Sequence, residues 1–116
     1  MSQTFSVSQR LHRREEFERV LQKKGLIDQW LALHSETNVV GSERLGIVVS
    51  KRVVAKAVAR NRLKRVIREV FRQTPAESFS ALDIVVRVRK SLSVEDTLEF
   101  RRSLSRLLMK MRMANK

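Results

Sequence analysis

Apolar side chains recur along this chain with two periods, and the switches between them divide it into helices and strands. Residues 13–24 read as a first helix with Phe17, Val20 and Leu21 on one side. Glu15, Glu16 and Glu18 come early and Lys23 and Lys24 late, which suits the helix dipole. Gly25 fits the left-handed position that ends such a helix. Leu26–Ser35, with Trp30, Leu31, Ala32 and Leu33, reads as one strand, and the polar stretch around Gly41 as a hairpin connection. Arg44–Ser50 is a short, continuous apolar run of β-branched type, the pattern of a central strand.

A longer helix is expected from Val54 to Gln73, closed by Pro75, which biases Thr74 away from helical geometry. A loop at 78–81 leads to Leu82–Arg89, a strand with Ile84, Val86 and Val88 on one face. Ser93 and Asp96 have the spacing of a capping box, opening a last helix. Its expected buried stripe is Leu98, Leu104, Leu107, Leu108 and Met111, and its outer face Arg101, Arg102, Arg106 and Lys110. The order helix, strands, helix, strand, helix predicts an α+β fold: one small mixed sheet packed by helices in a two-layer sandwich. One domain spans 1–116, with an extended arm at 1–9 and a frayed tail at 113–116.

Charge changes this picture most in Lys51–Arg72. That segment carries nine cations, Lys51, Arg52, Lys56, Arg60, Arg62, Lys64, Arg65, Arg68 and Arg72, against one carboxylate, Glu69. At roughly 100° per residue, Ala55, Ala59, Leu63, Val66, Ile67 and Val70 share one apolar arc. Arg60, Asn61, Lys64, Arg65, Arg68 and Arg72 lie opposite, with Arg62 at the flank. Each like-charged pair four residues apart costs about 0.2–0.5 kcal/mol. The steps 56, 60, 64, 68 and 72 are all basic, so a polyanion outside the chain is the natural compensation. A formal charge of +13, from 25 Lys and Arg against 12 Asp and Glu, points the same way, toward nucleic acid.

Catalysis by the protein itself finds little support. His12 and His34 stand in separate segments, the glutamates near residue 16 serve the helix start, and Asp83 reads as a loop terminus. No nucleophile motif, phosphate loop or metal-ligand pattern is present. The chain has no cysteine, no apolar segment of signal-peptide length and no run long enough for a membrane span. A soluble, cytoplasmic protein is expected, without a membrane or small-molecule substrate.

Two motifs make the reading specific. Val49-Ser50-Lys51-Arg52 closes a strand, and Arg60-Asn61-Arg62-x-Lys64-Arg65-x-x-Arg68-Glu69 follows on the helix. Together they resemble the bacterial ribonuclease P protein subunit. Arg10-Leu11, Glu16-Phe17 with Val20, Asp83–Val86 and Arg89-Lys90 extend the likeness over about residues 9–112. The resemblance implies a left-handed β-α-β crossover and a subunit of the ribonucleoprotein endonuclease that removes the 5′ leader from precursor tRNA. The catalytic centre and its magnesium ions would belong to the RNA, and the protein would hold no cofactor. Arg60, Asn61, Arg62, Lys64, Arg65 and Arg68 would contact that RNA, flanked by Lys56 and Arg72, with Lys51 and Arg52 leading into the surface. Phe17, Trp30, Arg89 and Lys90 would line the leader cleft. Phe17 also reads as core beside Val20 and Leu21, and Trp30 as a half-buried strand residue. A ribosomal or structural RNA-binding protein of similar fold is the alternative, and a DNA-binding helix the third.

Overall fold

The computed structural model describes residues 10–74 and 81–114, and in them the chain forms three helices and four strands. In order these are α1 (Arg14–Leu21), β1 (Gly25–Ile27), β2 (Leu31–Thr37), β3 (Arg44–Val48), α2 (Ala57–Gln73), β4 (Leu82–Val88) and α3 (Thr97–Ala114). The expected arm at 1–9, the loop at 78–80 and the last two residues lie outside the described residues. Met113 and Ala114, placed in the tail by the sequence, are the last turn of α3.

The sheet runs β1-β2-β4-β3, antiparallel except for the β3–β4 pair, which is parallel. An α+β fold with a mixed sheet is therefore what the chain adopts. Every residue of β4 except Arg87 is buried, so β4 is the strand with both faces covered. Ile84, Val86 and Val88 join Leu31 and Leu33 of β2 in a core closed by Leu63, Ile67 and Val70 of α2 and Phe100, Leu104 and Leu108 of α3. Burial of each such side chain contributes about 1.5–3 kcal/mol. The opposite face is smaller: Val85 packs with Val20 and Leu11, and Phe17, Leu21 and Val48 lie against them.

Several expectations need correction. The single strand 26–35 is two strands, because the Asp28 carboxylate accepts hydrogen bonds from the backbone N–H of Trp30 (2.8 Å) and Leu31 (3.1 Å) and turns the chain. Gly25 opens β1 rather than taking a left-handed cap; its α-carbon faces the His34 ring so closely that a β-carbon would sit 2.8 Å from Nδ1. The loop at 38–43 is not a hairpin, since β4 separates β2 from β3. Gly41 does turn through φ +87° there, held by the Asn38 side chain. The apolar run of β3 marks an edge strand, covered in part by Arg10 and Leu11: the Leu11 N–H donates to the Leu45 carbonyl at 2.9 Å.

At the helices, α2 starts at Ala57, so Ala55 is exposed ahead of it while Val54 is buried. Leu98 is exposed and Phe100 takes its place in the buried stripe of α3. The Ser93–Asp96 hydrogen bonds form, but they close the turn before α3, which begins three residues later than the capping pattern indicates.

Candidate nucleic-acid interface

Seventeen residues of α2 join β3 to β4, and the buried stripe Leu63, Val66, Ile67, Val70 and Phe71 fixes which way the helix faces. Its other side carries the cations. Asn61, Arg62 and Arg65 are exposed, and Lys64, Arg68 and Arg72 are half-buried. Ahead of the helix, Lys51 and Arg52 are exposed on a turn closed by Ser50, whose carbonyl accepts from Val53 and Val54. Lys56 is the exposed residue immediately before α2.

None of these cations makes an ion pair among the described residues. The only carboxylate on the helix, Glu69, is taken by Arg101 of α3 at 2.6 Å, which holds its pKa below the ordinary carboxylate value. Arg60 alone is turned back: its Nη1 donates to the carbonyls of Val54 (3.0 Å) and Ala55 (2.8 Å), tying the turn to the helix. Elsewhere several of the fold's cations are matched. Arg44 pairs with Asp83 and Glu16, Arg19 with Glu36, Arg106 with Asp28 and Arg112 with Glu43. Apart from Glu69, the acidic residues among those described pair away from the face of α2, and that face stays strongly cationic.

Phe17 lies beside this helix. A partly open cavity of about 120 Å³ at the outer edge of β3 is lined by Phe17, Arg10, Leu11, Leu45, Gly46, Ile47, Lys64 and Arg68. Gly46 is required for the approach, because a β-carbon there would meet the Phe17 ring at 2.7 Å. The other expected cleft residues are elsewhere. Trp30 is 4% exposed in the core on the α2/α3 side of the sheet. Lys90 Nζ sits 5.0 Å from the Trp30 ring centroid, and Arg89 donates to the Asp28 carbonyl. Trp30, Arg89 and Lys90 thus cluster at the β1–β2 turn, and the Trp30 ring lies in the α2/α3 core while Phe17 packs on the α1 side.

Two cations escaped sequence reasoning. Arg10 reaches the cavity through the bridge of its backbone to Leu45. Arg87 is the one half-buried residue of β4, and the register aligns it with Val48 of β3 and Ala32 of β2 on the face that carries α1. Its signal was present in the alternation of that strand: if Ile84, Val86 and Val88 face one core, Arg87 faces the other side.

Asp83, expected at a loop end, is instead 1% exposed within β4 and bound by Arg44 and Asn38. Among the described residues no group of three histidine or acidic side chains could hold a metal ion, and no helix is long and apolar enough to cross a membrane.

Residues 5–112 match the sequence model of the Ribonuclease P family. The Ribonuclease P protein component of Coxiella burnetii is 42% identical over 96 residues, covering 82% of this chain and 78% of that protein. That of Thermotoga maritima is 38% identical over 96 residues, covering 82% and 81%. The fold agrees. The RNase P protein of Staphylococcus aureus superimposes with a TM-score of 0.76 at 29% identity over 89% of this chain and 94% of that one. The Thermotoga maritima RNase P protein gives 0.68 at 28% identity over 92% and 97%. This chain belongs to the ribonuclease P protein family, the protein component of the ribonuclease P endoribonuclease.

Proposed function

We propose that α2 seats this subunit on the catalytic ribonuclease P RNA while the α1 face of the sheet holds the single-stranded 5′ leader of precursor tRNA. The observation that carries this is the unmatched row Arg62, Lys64, Arg65, Arg68 and Arg72, with Lys51, Arg52, Lys56 and Asn61 at its N-terminal end. Phosphates laid along it relieve the repulsion that the fold leaves in place, at the entropic gain of releasing counterions. Arg60 contributes mainly by fixing the turn that presents Lys51 and Arg52.

On the α1 face, Phe17 offers a ring for a base and Arg87 a charge for the backbone. One stacked base contributes about 1–3 kcal/mol. With aromatic residues at only 5% of the chain, backbone charge carries more of the leader affinity than stacking, and sequence preference is weak. Arg89 and Lys90 act at the β1–β2 turn, and Trp30 supports that turn from the core. Chemistry stays with the RNA and its magnesium ions; the protein lowers the magnesium requirement by screening phosphate repulsion. On this reading it works in the cytoplasm.

The test is cleavage of precursor tRNA by a bacterial ribonuclease P RNA at low magnesium. The chain stimulates it, and Arg62→Ala with Arg65→Ala weakens assembly and lowers the log–log salt slope by about 0.7–0.9 per lost contact. Among the described residues neither arginine makes an ion pair or a side-chain hydrogen bond, so the thermal melt stays nearly unchanged. Absence of stimulation would return the chain to the alternative, a ribosomal or structural RNA-binding role.

A further inference from the structure

The outward side of α3 is apolar where a surface helix ordinarily carries charge. Phe100, Leu104, Leu107, Leu108 and Met111 are buried and fix the inward direction of the helix. At roughly 100° per residue, Leu98, Arg102, Met109 and Met113 all fall within about 30° of the opposite direction. Leu98 is 57%, Met109 51% and Met113 67% exposed. One exposed leucine is unremarkable on any protein. Three apolar side chains sharing the outermost line of one helix form a stripe, about 22 Å long over four turns.

Charge around the stripe is one-sided. α3 carries five cations and a single carboxylate, Glu99, which accepts a hydrogen bond from Gln29 at 3.0 Å. On the flank toward α2, Arg101 and Arg112 are held by Glu69 and Glu43. On the other flank Arg106 has a 3.4 Å contact with Asp28. Lys110 on that flank, and Arg102 within the stripe, make no ion pair among the described residues. Phosphate would satisfy these cations yet leave Leu98, Met109 and Met113 in water. A second copy of a +13 chain would bring the same cationic flank against this one. An amphipathic helix with carboxylates beside its apolar face satisfies both the charge and the stripe.

We propose that this face of α3 docks an acidic amphipathic helix of a partner protein. Apolar side chains of that helix at i, i+3 or i+4 and i+7 cover Leu98, Met109 and Met113, and the flexible methionines adapt to their shape. Its carboxylates lie along Arg102, Arg106 and Lys110, where complementary charge sets the orientation. The flank used is the one turned away from α2, so the cations of α2 stay available. The proposal goes beyond the RNA-binding reading and does not depend on it.

Fluorescence anisotropy of the full chain with a labelled synthetic probe tests it. The probe is a helical peptide about as long as α3, with leucines at the spacing of one helix face and glutamates beside them. Saturable binding is expected, and Leu98→Ser and Met109→Ser should each weaken it about tenfold, the loss of one buried apolar side chain. Arg102→Glu with Lys110→Glu should abolish binding of this probe and confer binding of one with lysines in place of the glutamates. Arg14→Glu with Lys24→Glu, an equal change of charge elsewhere on the surface, should leave the affinity unchanged. A far-ultraviolet melt identifies any variant that has simply unfolded; Met113→Ser then replaces a failed apolar variant. No saturation, equal binding of polyglutamate, or equal weakening by the Arg14 and Lys24 pair overturns the proposal. So does a dimer, seen by sedimentation velocity, that Met109→Ser dissolves, which would assign the stripe to a second copy. Flotation with phosphatidylglycerol vesicles that depends on Met109, without probe binding, would assign it to a membrane surface and overturn it equally.

Discussion

Arg44 grips Asp83 through Nε–Oδ1 and Nη2–Oδ2 contacts of 2.8 Å each, one residue at the start of β3 and its register partner at the start of β4. The pair fixes the parallel strands that α2 connects, and a third group, Glu16 of α1, lies 3.0 Å from Nη1 of the same guanidinium. Sheet and first helix thus meet at one arginine. Asp83→Ala should destabilise the fold by about 3 kcal/mol, because it strands a largely buried cation. Urea unfolding checks this; a change below about 0.5 kcal/mol would mean that the pair contributes nothing net.

Acid should act through the carboxylates around this region. Burial pushes the Glu16 pKa up, but the backbone N–H groups of Arg13 and His12 and the Arg44 guanidinium outweigh it and hold the group below 4.5. Glu69 is lowered as well, by Arg101. A carboxylate whose pKa is lower in the folded state stabilises above its unfolded pKa, and that contribution is lost as pH falls through the folded value. Urea midpoints should therefore hold steady near neutrality and fall below about pH 4.5, with Glu16→Gln flattening part of the decline.

The single tryptophan offers a reporter. Trp30→Ala should cost about 3–5 kcal/mol as a cavity in the main core, and tryptophan emission should track global unfolding. If Trp30 instead contacted the leader, leader addition to the folded protein would quench it before any loss of structure.

Gly46→Ala is expected to drive the Phe17 ring outward, since the new methyl group would overlap it at 2.7 Å. Overpacking of this kind costs about 1–3 kcal/mol. Binding of precursor tRNA should weaken while binding of leader-free tRNA stays the same. Equal weakening of both would place the effect on folding.

Removal of the one carboxylate from α2 should help RNA binding. Glu69→Gln releases Arg101 and raises the net charge of the helix face. Affinity for the RNA should increase, and the salt slope should steepen by up to about 0.7–0.9. An unchanged slope would mean that Arg101 stays away from phosphate even when freed.

Much of this arrangement was legible in the residue pattern, and the misses share a cause. The arc Leu63, Val66, Ile67 and Val70 gave the orientation of α2, because one stripe of aliphatic side chains has a single way to pack. Its first turn was misread because Ala55 fits the arc while the chain there is held by Ser50 and Arg60 in a non-helical turn. The apolar run Leu26–Leu33 hid a turn made by one carboxylate, Asp28, which also receives the Ser103 hydroxyl and Arg106 from α3. Trp30 and Phe17 looked alike as aromatic residues beside cations. Which sheet face each occupies depends on strand register, and that is a tertiary property. Arg10 and Arg68 meet only because the segment before α1 bridges to the β3 edge.

The position of β4 has a consequence for synthesis on the ribosome. This strand is the only one that touches both β2 and β3, yet it is the last to emerge. Until residue 88 has cleared the exit tunnel, β3 has no neighbour among the named strands and α2 has only the β1–β2 pair to rest on. A nascent chain at that stage would expose a strongly cationic, half-apolar segment, prone to premature capture by any passing polyanion. Quick completion of the last thirty or so residues, and a reservoir of matching RNA to receive the finished fold, are what this topology asks of the cell.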